Sequence, residues 1–173
     1  MAFKIEQVRE YVKLQPDIIS VYGDIGMQNS MIIAPDIWRK YFKPKLKILI
    51  EESRRQNKNI YWFFHSDGYI EPVIPDLIEI GVNIINPIQP ECMDPVKIKK
   101  MYGDRITLHG TISLQKTLPF GTVEEVRKEV LFRIKKCGYN GGLILAPANV
   151  VTADVPIENI LTLYNTTKET KLS

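Results

Sequence analysis

The chain has 173 residues, 45% hydrophobic and 25% charged, with a net charge of +3. These are ordinary values for a soluble globular chain, long enough to bury a real core, and the expectation is a single domain over residues 1–173. The basic residues are scattered (Lys43, Lys45 and Lys47, then Arg54 and Arg55, then Lys97, Lys99 and Lys100), which reads as solvated helix faces rather than a nucleic-acid stripe.

Cys92 and Cys137 stand alone without paired spacing. That excludes a disulfide framework and suits a reducing cytoplasm. No apolar run approaches the roughly 18 residues of a membrane span, and Met1 to Gln15 lacks a signal-peptide core. The expected setting is therefore the cytoplasm, with no membrane partner.

In chain order, Phe3, Ile5, Val8 and Val12 form a helical stripe, predicting a helix from Ala2 to Leu14 that stops before Pro16. Residues 17–24 read as a short buried strand ending in Gly23-Asp24. A small, polar loop over 25–34 carries Gly26, Gln28, Asn29 and Ser30. Pro35-Asp36 then opens a long helix with Ile37, Trp38, Tyr41, Phe42, Leu46 and Leu49 on one side and a kink at Pro44.

The second strand, Asn59 to Phe64, is aromatic and β-branched, and it runs into His65-Ser66-Asp67-Gly68. A helical pattern over Ile70 to Ile80 follows, closed by Gly81. Val82 to Pro87 is a third strand, with Gln89, Glu91 and Cys92 in the next loop. Asp94-Pro95 is an N-cap with proline at the first helical position. Arg105 to Thr111 is a fourth strand containing His109. Thr122-Val123-Glu124-Glu125 is a capping box ahead of a helix on Val126, Val130, Leu131 and Ile134. Leu143 to Ala146 is the fifth strand, and after a loop containing Asn149 a last helix runs on Ile157, Ile160, Leu161 and Tyr164. Thr166 to Ser173 reads as a frayed polar tail.

About five strands alternating with helices argue for an α/β fold with a parallel sheet and right-handed crossovers. The strands lack alternation, which predicts that both sheet faces are covered. Asp24, His65, Gln89 with Glu91, His109 and Asn149 each fall at or just past a strand's C-terminal end. Separately they read as a loop cap, a half-buried imidazole or a turn residue. Together they predict one shared rim site, which is where parallel α/β proteins assemble their chemistry.

Several segments carry a resemblance. They are Gly23-Asp24-x-Gly26-x-Gln28, Ile33-Ala34-Pro35-Asp36-x-Trp38, Phe64-His65-Ser66-Asp67-Gly68, Asn86-Pro87-Ile88-Gln89-Pro90, Leu118-Pro119-Phe120-Gly121-Thr122 and Asp154-Val155-Pro156-x-Glu158-Asn159-Ile160. In order and spacing, the chain resembles the C-terminal half of the uroporphyrinogen decarboxylase superfamily, which includes corrinoid-dependent methyltransferases. The resemblance implies the C-terminal part of a (β/α)8 TIM barrel, a fold that takes about 250 residues when whole. It also implies that two half-barrels, or this chain and a separate N-terminal half, must pair to cover the sheet edges.

In the methyltransferase branch, a His-x-Cys pair and a third thiolate hold zinc, which makes a bound thiol anionic. The matching positions here resemble His65, Asp67 and Asn149, so zinc through His65 and Asp67 is the implied cofactor, with no thiolate among the three and Cys92 as a substitute or a plain loop thiol. In the decarboxylase branch no cofactor is needed. The aspartate that holds the pyrrole N–H groups belongs to the family's N-terminal half, and the last-strand histidine corresponds to Asn149.

The expectation is thus an enzyme domain acting on a small-molecule, corrinoid or tetrapyrrole substrate, with methyl transfer favoured. Porphyrinogen decarboxylation by an assembled barrel and a non-catalytic half-barrel subunit are the alternatives. Asp24, His65, Asp67 and Glu91 are the candidate catalytic groups, and Gln28, Gln89, His109 and Asn149 the candidate substrate-binding ones.

Overall fold

The computed structural model describes residues 1–170. Strands β1 (Ile18–Tyr22), β2 (Tyr61–His65), β3 (Ile84–Asn86), β4 (Thr107–His109) and β5 (Leu143–Ile144) form one parallel sheet in the order 1-2-3-4-5. Between and around them lie α1 (Ala2–Lys13), α2 (Pro35–Tyr41), α3 (Lys43–Gln56), α4 (Ile74–Glu79), α5 (Pro95–Tyr102), α6 (Thr117–Phe120), α7 (Val123–Cys137) and α8 (Ile157–Glu169). Sequential order with right-handed crossovers winds every helix onto the same side of the sheet, which is how a barrel rather than a doubly wound fold begins. The result is a partial barrel.

Burial along the strands shows which side the helices cover. In β2, Trp62 and Phe64 are buried, while Tyr61, Phe63 and His65 alternate with them on the other face and are more open. Tyr22 and Ile144 share that second face by register and are exposed too. The expectation of two covered faces is therefore corrected. β1, β2 and β4 alternate in burial while β3 is buried throughout, and around it the side that would line a closed barrel is open.

Polar side chains fasten the helix side. Ser53 of α3 accepts a 2.9 Å hydrogen bond from the Trp62 indole, and Asn83 Oδ1 accepts from Trp62 N and from Arg54. Lys99 is buried and donates to Gly141 O at 2.6 Å. Arg54 and Lys99 are thus clamps rather than solvated charges. Asp94 caps α5 through Val96 N, and Thr122 with Glu125 forms the capping box of α7.

Other local departures have simple causes. The long helix is two, broken at Phe42, because Pro44 suits the first turn of α3 and not a helix interior. Of its apolar stripe, Trp38 and Leu46 are buried while Ile37, Tyr41 and Phe42 stay exposed. The 70–80 helix opens with a 3₁₀ turn at Glu71–Val73, where Pro72 and Pro75 remove donors. The expected frayed tail is helical through Glu169 because Thr166 packs into the core side. Residues 171–173 lie outside the described residues.

Candidate functional site

The C-terminal ends of the strands place a row of polar and aromatic groups side by side. Tyr22 of β1 pairs with His65 of β2, and His65 with Asn86 of β3. The Asn86 carboxamide links two imidazoles: its Oδ1 lies 2.6 Å from His65 Nδ1 and its Nδ2 lies 2.6 Å from His109 Nδ1. The Tyr22 ring lies 5.0 Å from the His65 ring, and Phe63 meets His109 edge-on at 5.3 Å. Burial holds His109 below the ordinary histidine range, and the neighbouring His65 pushes the same way.

Loops after β1 and β2 add the acids. The His65 Nε2 lies 3.7 Å from Asp24 Oδ1 and 3.8 Å from Asp67 Oδ1. The same Asp24 oxygen accepts from Asp67 N at 3.0 Å. Buried Ser66 ties the two loops together, accepting from Ile25 N and donating to Asp67 O. Gly26 and Gly68 let their backbones touch: a Cβ on Gly26 would sit 2.5 Å from Asp67 O, and Gly68 takes φ +80°. Tyr69 N completes the crossing by donating to Met27 O.

Burial lifts the Asp67 carboxyl above the ordinary aspartate range. His65 opposes that shift, the Asp24 carboxylate adds to it, and the hydrogen bond from Asn149 pulls it back. Among the described residues, Asp67 Oδ1 is a buried oxygen with no hydrogen-bond partner. It faces a gap where one donor atom each from Asp24, His65 and Asp67 lies within 4.8 Å of the others. An unpaired buried carboxylate oxygen beside a second carboxylate and an imidazole nitrogen fits a divalent cation, and zinc accepts this donor set. Asn149 is not among the donors. Its Nδ2 donates to Asp67 Oδ2 at 2.5 Å and its Oδ1 accepts from Val150 N, so both ends are engaged. The third residue of the cluster is Asp24.

A cleft of about 300 Å³ opens beside these groups, lined in part by Gln28, Asp67, Gln89, Gln115 and Asn149. Gln28 and Gln115 pair amide to amide across it, and Gln89 Oε1 accepts from Gly68 N at 3.3 Å. Glu91 stands apart from the acid–imidazole group: one oxygen accepts from Ser113 Oγ, and the other is buried with no partner among the described residues. Cys92 packs half-buried against the core, and burial raises its thiol, with Glu91 and then Asp67 adding to the shift.

The structure thus brings Asp24, His65, Asp67, Asn149, Gln89 and, through Asn86, His109 onto one rim. Asn86, Ser66 and Gln115 take part as well, beyond the residues that the sequence marks as candidates. A polar residue closing an otherwise aliphatic strand was the available signal for Asn86.

A parallel sheet wound in sequential order, with acids and imidazoles gathered on its C-terminal rim, defines the chain as part of a TIM-barrel-type α/β protein. The family model described as uroporphyrinogen decarboxylase (URO-D) matches residues 2–170, and the chain belongs to that family. It is similar to a methylcobamide:CoM methyltransferase MtaA of Methanosarcina barkeri, 25% identical over 153 residues. A second such protein, from the Fusaro strain, is 22% identical over 153 residues. These matches cover 88% of this chain and 41% of each relative, so the chain spans about two fifths of their length. A solved methyltransferase structure from Methanosarcina mazei superposes with a TM-score of 0.72 at 23% identity, over 96% of this chain and 46% of that one.

Proposed function

We propose that the chain supplies the metal-binding rim of a methyltransferase of the corrinoid type, moving a methyl group between a corrinoid or methylated small molecule and an acceptor. The observation that carries the reading is the convergence of Asp24, His65 and Asp67 on one gap, with Asp67 also lining the cleft. His65 through Nε2 and the two aspartates through one oxygen each would hold zinc. When bound, zinc lowers the pKa of a coordinated thiol, so that the acceptor is anionic at neutral pH. The chain's own groups orient the rest. Gln28, Gln89 and Gln115 line the cleft with neutral donors and acceptors, and Tyr22 presents an aromatic face beside His65. Among the described residues the cleft lining carries no lysine or arginine, which disfavours the many carboxylates of a uroporphyrinogen-type substrate.

The open sheet face and, among the described residues, the unpaired outer edges of β1 and β5 support pairing with further strands of a barrel, which another copy of the chain or a separate half-barrel would supply. Sedimentation equilibrium tests this part: association is expected, and a stable folded monomer counts against it. Zinc content by mass spectrometry tests the metal reading. Wild-type protein should retain zinc and His65→Ala should lose it, and the reading fails if neither holds metal.

A further inference from the structure

The chain contains two histidines, and a single buried carboxamide joins them. Asn86 is 9% exposed, and its backbone is fixed to β2 by the hydrogen bond from Ser66 N to Asn86 O. Space for its amide comes from Gly110 at φ +70°, where a Cβ would stand 2.8 Å from Asn86 Nδ2. A carboxamide has one accepting end and one donating end, so it cannot serve two identical imidazole nitrogens in the same way. The two histidines must differ.

Which way they differ follows from what each faces. His65 Nε2 looks at the carboxylate oxygens of Asp24 and Asp67. With a cation in that gap, or with the ring doubly protonated against the two carboxylates, Nδ1 carries a hydrogen that needs an acceptor. Asn86 Oδ1 is that acceptor, at 2.6 Å. The other end, Nδ2, must then donate to His109 Nδ1, which is therefore bare. Among the described residues no carboxylate comes within ion-pair distance of His109, and its ring packs edge-on against Phe63, consistent with a neutral imidazole.

We propose that Asn86 is a positioning residue that locks the two histidines into opposite tautomers, with Nδ1–H on His65 and Nε2–H on His109. The consequence, in the neutral ring, is an Nε2 lone pair on His65 aimed at the gap between the two aspartates. Groups that orient a ligating imidazole in this way commonly change metal affinity by about 10- to 100-fold when removed. The functional meaning rests on the metal reading above, whereas the tautomers follow from the two ends of the Asn86 carboxamide alone.

The test is a long-range ¹H–¹⁵N correlation spectrum of histidine-labelled, chelator-treated protein, recorded at a pH where both imidazoles are neutral. With two histidines the spectrum holds two ring systems, assigned by a His109→Gln variant. Wild type should show His65 as Nδ1–H and His109 as Nε2–H. Asn86→Asp keeps the acceptor and removes the donor, so His65 should be unchanged while the His109 proton moves to Nδ1. Asn86→Leu should shift His65 toward Nε2–H and weaken zinc binding by about 10- to 100-fold.

Wild-type His65 in the Nε2–H form, or a folded Asn86→Leu protein with both tautomers unchanged, overturns the proposal. If the leucine variant does not fold, the wild-type and aspartate spectra decide it. Correct tautomers without zinc uptake would overturn the metal reading alone, and zinc uptake with the wrong tautomers would overturn this proposal alone.

Discussion

The Asn149 side-chain amide donates to Asp67 Oδ2 at 2.5 Å across 82 positions of sequence. This bond reaches from the loop after β5 to the loop after β2, closing the rim over the intervening strands. It also favours the ionised form of a carboxyl that burial otherwise disfavours. Asn149→Ala should therefore leave the fold intact and weaken zinc binding by about 10- to 100-fold, as loss of a ligand-orienting partner does. Competition with a chromogenic chelator measures it, and an unchanged affinity would remove Asn149 from the site.

Asp67→Asn should act in opposite directions on stability and on binding. Burial, with the Asp24 charge adding to it, holds the Asp67 carboxyl above its ordinary range. A carboxyl raised in this way supports the fold while protonated, and that support is lost as the pH rises through its folded value. The neutral amide removes this penalty and still accepts from Asn149. Thermal melts in chelator at neutral pH should show a higher Tm for the variant, and the same protein should bind no zinc. A lower Tm would mean that the charge is already compensated.

The sheet was readable from sequence because its strands are short apolar runs separated by helices with explicit stop and start signals. Asp94, Thr122 with Glu125, and Gly81 mark boundaries through local hydrogen bonding or backbone freedom alone. The rim was readable as a set because residues at strand ends must gather wherever a parallel sheet has all its strands. What was not readable depends on distance in space. Nothing local says that Asp24 rather than Asn149 faces His65, since that follows from the contact between Gly26 and Gly68. The open inner face is hidden in the sequence because β2 is aromatic on both sides, which conceals the alternation. The Phe42 break depends on Pro44 falling in a first turn instead of an interior, a choice that the two flanking helices make by packing.

Gly68→Ala tests that loop contact. The residue takes φ +80°, and a Cβ there would lie 2.6 Å from Gly26 carbon and from Met27 O, both backbone atoms that cannot step aside. Strain and overlap together should cost about 3 kcal/mol in urea unfolding, at the upper end of ordinary single substitutions. The same change should separate the Asp24 and Asp67 loops and lower zinc affinity. A variant as stable as wild type would show that the two loops do not cross in contact.

Asp76 carries a pH dependence that is independent of the rim. Its carboxylate accepts from Arg39 Nε at 2.9 Å and from Lys43 Nζ at 2.7 Å, joining α2 and α3 to α4. Burial alone would raise this carboxyl, but the hydrogen bonds from Lys43 and Arg39 outweigh burial and hold it below the ordinary range. A depressed carboxyl contributes stability that is fully present above its unfolded value, near 3.9, and is lost as the pH falls through the folded value. Asp76→Asn keeps the shape but loses the charge opposite Lys43, whose remaining partner is the exposed Glu79. The variant should be less stable than wild type by about 1–3 kcal/mol at pH near 7, the usual cost of breaking a buried charged hydrogen bond. That difference should shrink as both proteins are taken toward about pH 3, because the wild-type carboxylate is then being protonated as well. Urea midpoints at the two pH values measure it, and a gap that is the same at both would mean that Lys43 and Arg39 do not stabilise the ionised form.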